Sequence, residues 1–135
     1  MKITFEDVKL ETESFGDNGT CAIRAIALVT QQPYAEVRQK LIELGHWRPG
    51  QTTGMNSRVA LKKLFPGRIP DPHYIRQPNG SKYTSITIGK ALPKGHYLCH
   101  VSGHVFALID GKAKDYGKNR MRILAVTKIP EELHS

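Results

Sequence analysis

His104-Val105-Phe106-Ala107-Leu108-Ile109-Asp110-Gly111-Lys112-Ala113-Lys114-Asp115-Tyr116 is the stretch from which the fold can be read. Asp-Gly between two strand-like runs is a strong local hairpin signal. With Asp110 and Gly111 as the turn, Ile109 falls opposite Lys112, and counting back sets Phe106 opposite Asp115. Side chains alternate along a strand, so His104, Phe106 and Leu108 share a face, and Asp115 joins it diagonal to His104. A carboxylate so placed can fix the tautomer and orientation of an imidazole while the imidazole activates a nucleophile. Gly103, beside the histidine, leaves room for close approach of another chain or a substrate.

Working outward, Tyr97, Leu98 and Val101 lead into the hairpin, and Arg122 to Thr127 reads as a last strand. The N-terminal half is helical in pattern. From Cys21 to Val29 almost every position is apolar, broken by Arg24, which marks a helix in the middle of a domain. Pro33 opens a second helix, with Tyr34, Val37, Leu41 and Leu44 at helical spacing and Gly45 as its stop. A third runs from about Met55 to Phe65, ended by Pro66-Gly67. Ile3 to Leu10 reads as an edge strand and Arg68 to Lys82 as a long surface connection. Thr84 to Leu92 fits a strand by its β-branched residues and a short helix by its capping pattern; helix is the expectation. The fold class expected is α+β, a helical half packed on a C-terminal antiparallel sheet. At 135 residues it is one domain, residues 1–135.

Apolar residues at 39% and charged residues at 24% describe an ordinary soluble chain. No apolar run approaches the roughly 18 residues a membrane span needs. Met1 to Glu11 carries acids where a secretory leader would be apolar, so a cytoplasmic monomer without membrane partners is expected. Cys21 and Cys99 are then free thiols. The net charge of +8 leaves an acidic partner such as nucleic acid open. The basic residues are spread along the chain, as at Lys62-Lys63 and Lys118-Asn119-Arg120, and no nucleic-acid-binding motif accompanies them.

Cys21 follows Asn18-Gly19-Thr20, a capping sequence, and so falls in the first helical turn. The positive end of a helix stabilises a thiolate, and its backbone N–H groups can cradle an oxyanion. A plain core cysteine is the competing reading. His96 and His100 flank Cys99, but continuous alternation sets His96, His100, Ser102 and His104 on one face and Cys99 on the other. With no CxxC or HExxH pattern, no metal and no cofactor are expected. His46, His73 and His134 read as solvated.

Asn18-Gly19-Thr20-Cys21-Ala22-Ile23-Arg24-Ala25 resembles the Asp-Gly-x-Cys-x-x-Arg-Ala signature of OTU-type deubiquitinases, with Asn18 where those enzymes carry an acid. More specifically, the chain from about residue 16 to 126 is similar to small bacterial and phage proteins of the papain-like superfamily. Those join a Cys-x-x-Arg-Ala-x-Ala helix to a late Pro-x-Gly-x-Tyr and Ser-Gly-His-x-x-Ala-x-x-Asp-Gly-x-x-x-Asp block. Here the block is Pro93 to Tyr97, then Ser102-Gly103-His104 to Asp110-Gly111 and Asp115. The resemblance implies a papain-like fold with Cys21 as nucleophile, His104 as general base and Asp115 as its orienter. It implies an oxyanion held by the Cys21 backbone N–H and the Asn18 side chain. The activity implied is cysteine-dependent hydrolysis or acyl transfer on a peptide, isopeptide or other amide bond, in a host cytoplasm if phage-encoded. The alternative is an inert papain-like module that blocks a host factor or binds an acidic partner. The loops Trp47 to Thr53 and Arg68 to Lys82 are expected to border the cleft.

Overall fold

The apolar run after Cys21 forms helix α2 (Cys21–Thr30), in which Ala22, Ile23 and every residue from Ala25 to Thr30 are buried. A helix buried this completely needs neighbours on all sides, and α2 contacts three other helices and two strands. The helices are α1 (Phe5–Phe15), α3 (Tyr34–Glu43) and α4 (Ser57–Leu64). The computed structural model of the chain describes residues 2–52, 55–115 and 121–134.

Helix α1 replaces the edge strand expected from Ile3 to Leu10. Thr4 and Asp7 form a capping box, each side chain accepting from the other's backbone N–H, at 3.2 and 2.9 Å. Val8 and Thr12, one helical turn apart, then turn inward. Alternation at Ile3 and Phe5 imitates a strand, but Leu10 is 56% exposed and belongs to the outer face of the helix.

The sheet contains β1 (His73–Tyr74), β2 (His96–Val101), β3 (His104–Ile109), β4 (Lys112–Lys114) and β5 (Ala125–Lys128). Its order is β1-β5-β2-β3-β4, and every pairing is antiparallel. The β3–β4 register has Ile109 opposite Lys112 and Ala107 opposite Lys114, as the Asp-Gly count requires. Asp110 and Gly111 both have positive φ, 48° and 84°, the pairing a two-residue hairpin turn demands. β1 lies inside the stretch expected to be surface connection and pairs through Tyr74 with Ala125. Thr84 to Leu92 divides between both expectations: Thr84 bridges Arg122, and Ile88–Lys90 forms a single 3₁₀ turn. Tyr116 and residues 118–120 lie outside the described residues.

One expectation about faces is overturned. β2 and β3 are joined by a two-residue turn, Ser102–Gly103, with Val101 opposite His104. Paired residues share a face, so His104 lies with Val101, Cys99 and Phe106, and His96 and His100 lie on the other side. Alternation counted straight through that turn reverses the assignment. Leu98, Val105, Ala107 and Ile109 meet the helices, while Tyr97, Cys99, Phe106, Leu108 and Val126 form a second cluster with Ile88 and Ile123. Among the described residues no helix is long and apolar enough to cross a membrane.

Ile26, fully buried in α2, carries the packing test. Ile26→Ala is expected to lower unfolding free energy by about 2–5 kcal/mol in urea titrations. Leu10→Ala, on the exposed face of α1, is expected to change it by no more than about 0.5 kcal/mol.

Candidate active site

Cys21 is the first residue of α2, and the loop before it is held by side chains from α3. The hydroxyl of Tyr34, buried in α3, donates to Asp17 Oδ2 at 2.7 Å and lies 2.9 Å from Thr20 Oγ1. Arg38, one turn further on, grips Asp17 with two hydrogen bonds of 2.9 and 3.1 Å. Its guanidinium is sandwiched over the Phe15 ring at 4.0 Å and the Trp47 ring at 5.1 Å. Gly19, at φ 67°, presses against the Thr52 carbonyl, where any Cβ would collide with the oxygen. Burial pushes the Asp17 carboxyl up, but the Arg38 and Tyr34 hydrogen bonds and the Arg38 charge outweigh it and leave its pKa below the usual value.

Thr20 is the N-cap of α2, yet its side chain makes no capping hydrogen bond. Its hydroxyl is engaged by Tyr34 and, at 3.4 Å, by Arg24. The capping expected of Asn18 and Thr20 therefore does not occur through Thr20, whose side chain does not cover the first-turn N–H groups. Asn18 is exposed and outside the lining of the cavity described below.

The nucleophile and hairpin candidates converge. His104 Nε2 lies 2.7 Å from Asp115 Oδ2, and the same ring hydrogen-bonds Cys21, so Nδ1 is the nitrogen left for the sulfur. The Cys21 sulfur also accepts the Val105 backbone N–H. His104 faces away from α2, so the contact is made around the edge of β3. β4 pairs with β3 from Ala107 to Ile109 and then ends, leaving the edge at Val105 open to Cys21. Asp115 follows the last residue of β4 and closes the gap from the far side.

The electrostatics follow from that geometry. Burial raises the Cys21 thiol pKa, but the His104 hydrogen bond, the Val105 N–H and the charges of His104 and Arg24 prevail, and the net shift is downward. The Asp115 hydrogen bond, then that of Cys21, raises His104 from 6.5 to about 9 against the opposing effect of burial. Both shifts act in the direction of a thiolate–imidazolium pair. Cys99 is fully buried, and burial alone pushes its thiol to about 12.

Cys21 and His104 open onto a cavity of about 390 Å³, whose lining also includes Asn56, Arg58, Tyr74 and His100. Of the loops expected at the cleft, Pro72 and Tyr74 from the 68–82 stretch do line it. From the other side the wall is built by 55–58, while Thr52 instead backs Gly19. His100 Nε2 lies 2.8 Å from Thr127 Oγ1, and burial, then the Arg58 charge, lowers its pKa. The Val105 N–H, Arg58 and the Asp17–Arg38–Tyr34 set have no local sequence signature, since each acts across more than ten residues of chain.

The remaining histidines lie outside the lining of the cavity. His96 Nδ1 contacts the Val29 carbonyl at 2.7 Å and its ring stacks on His134 at 3.8 Å, so His134 is not simply solvated. His46 is half-buried, and His73 is an exposed residue of β1. Among the described residues no three metal-ligating side chains cluster. Compared with family models, curated proteins and solved structures, the chain matches none.

Iodoacetamide is expected to alkylate Cys21 at least tenfold faster than Cys99 in the native protein, read by peptide mass spectrometry. The Cys21 rate should fall less steeply from pH 8 to 6 than that of an ordinary thiol, which slows about tenfold per pH unit. The His104 pKa is raised, so its stabilisation is complete below about pH 6.5 and is lost as pH rises through about 9. Asp17 acts in the opposite sense, stabilising above its unfolded pKa and losing that contribution as pH falls through its lowered folded value. Tyr34→Phe should lower stability by about 1–3 kcal/mol and flatten the acid limb of the stability curve.

Proposed function

We propose that this chain is a papain-like cysteine hydrolase, cleaving a peptide, isopeptide or other amide bond through a Cys21 thioester. The observation that carries the reading is the continuous contact from Cys21 through His104 to Asp115, with Nε2 to Oδ2 at 2.7 Å. The lowered thiol and raised imidazole pKa values match a nucleophile and base that exchange a proton at neutral pH. The order of elements, a buried helix headed by cysteine followed by a sheet that supplies histidine and aspartate, fits the papain-like plan.

In this mechanism the Cys21 thiolate attacks the carbonyl carbon, forming a C–S bond and a tetrahedral oxyanion. The Cys21 backbone N–H, at the start of α2, faces the developing charge; the exposed Asn18 side chain is a second donor if it swings inward. Collapse breaks the C–N bond as His104 gives its proton to the departing amine. His104 then takes a proton from water, which attacks the thioester, releases the acid and restores the thiol pair. Asp115 keeps Nδ1 of His104 aimed at the sulfur throughout and compensates the imidazolium charge.

The test uses an activated ester, p-nitrophenyl acetate, which needs no matched substrate. Wild-type protein is expected to form an acetyl adduct on Cys21, detectable by intact mass, and to turn over. Cys21→Ala and His104→Ala should abolish both while retaining the native melting transition, and Asp115→Asn should slow turnover at least tenfold. Turnover that survives Cys21→Ala would exclude Cys21 as the nucleophile, and wild-type protein that forms no adduct and does not turn over would leave the inert binding module, whose biological effect does not depend on the sulfur.

A further inference from the structure

Beyond the Cys21–His104 pair, the lining of the cavity is chemically one-sided. Arg58 stands in the first turn of α4, half-buried, with its side chain lining the cavity. Its backbone N–H, with that of Val59, is capped by Asn56 Oδ1 at 3.0 and 3.1 Å. Among the described residues its guanidinium has no carboxylate partner and makes no side-chain hydrogen bond. No aspartate or glutamate lines the cavity. Two histidines do: His104 is committed to Cys21 and Asp115, and His100 to Thr127. The one uncommitted charge facing this space is therefore a cation.

A guanidinium at a cavity with no carboxylate partner among the described residues is available to a ligand anion. The size of the cavity, about 390 Å³, is near the lower end of the range for ligand sites. A group held at Arg58 therefore lies within a residue or two of a carbonyl held at Cys21.

We propose that the cavity is an acidic-substrate subsite, in which Arg58 binds a carboxylate of the substrate close to the bond that Cys21 attacks. This rests on the reading of Cys21 as an activated nucleophile and adds the substrate class. A carboxylate suits the wall better than a phosphoryl dianion. Arg58 supplies one full charge, and His100, its pKa lowered by burial and by Arg58, supplies none at neutral pH. The planar guanidinium presents paired donors that match the two carboxylate oxygens. His100 and Asn56 leave the cavity polar enough to orient the rest of an acidic residue.

Iodoacetate and iodoacetamide test the idea, since they alkylate by the same step and differ by one carboxylate. The readout is the ratio of their rates at Cys21, by peptide mass spectrometry at low ionic strength. In wild-type protein the ratio should exceed that of free cysteine. Arg58→Gln should lower it about fivefold, with the iodoacetamide rate nearly unchanged, and Arg58→Lys should keep part of it. Arg48→Gln removes an equal charge from an exposed loop position outside the cavity and should leave the ratio unchanged. A ratio equal in wild-type and Arg58→Gln protein, or one lowered as much by Arg48→Gln, would overturn the subsite. Absolute iodoacetamide rates report separately on the nucleophile. Slow labelling at wild-type Cys21 would defeat the hydrolase reading, whereas the ratio judges Arg58 at any absolute rate. Melting curves verify that each variant is folded, and protection of Cys21 by inorganic phosphate rather than by succinate would overturn the choice of a carboxylate.

Discussion

The packing of α2 against β3 is the constraint on which the rest depends. α2 is buried on nearly every face, and Val105, Ala107 and Ile109 of β3 meet it from the sheet. That contact determines both the depth and the rotation at which α2 begins. Its first residue, Cys21, is carried to the point on β3 where β4 has already ended, and there the sulfur meets the Val105 N–H. A longer β4 would engage this edge with ladder hydrogen bonds and shut the cysteine out. The shortness of one strand is thus what leaves the Val105 N–H to the sulfur.

The start of α2 is held as firmly as its body. Asp17, Arg38, Tyr34 and Thr20 join the loop to α3, and Gly19 locks it against Thr52. The ion pair is nearly dry, with the two side chains 12% and 3% exposed, and both aspartate oxygens are satisfied. Leaving either partner alone there would strand a buried charge, so the network resists local opening. It also draws the Thr20 hydroxyl away from capping, so that side chain does not cover the helix N-terminus beside the sulfur. Rigidity of the loop and openness of the helix end come from the same hydrogen bonds.

Charge is arranged in two zones around the cavity. On one side Cys21, His104 and Asp115 form a hydrogen-bonded chain. On the other, Arg58 has no carboxylate partner among the described residues, and burial, then the Arg58 charge, lowers the His100 pKa.

Local chemistry in the sequence determined the helix after Cys21, the helix after Pro33 and the Asp110-Gly111 hairpin with its register. Each depends on residues adjacent in the chain: apolar content, a proline, a turn that demands positive φ. The same register was enough to bring Asp115 beside His104. The Thr4–Asp7 capping box was also present locally, but alternating Ile3 and Phe5 obscured it. What the tertiary structure alone decided is the face on which His104 lies, because a two-residue turn at Ser102–Gly103 reverses a count made along a continuous strand. It decided too that Cys21 reaches that histidine around the edge of β3, that Arg38 and Tyr34 hold the Asp17 loop, and that Arg58 faces the same cavity. These contacts join residues far apart in sequence, and their geometry is set by helix packing and strand length, which neither spacing nor composition encodes.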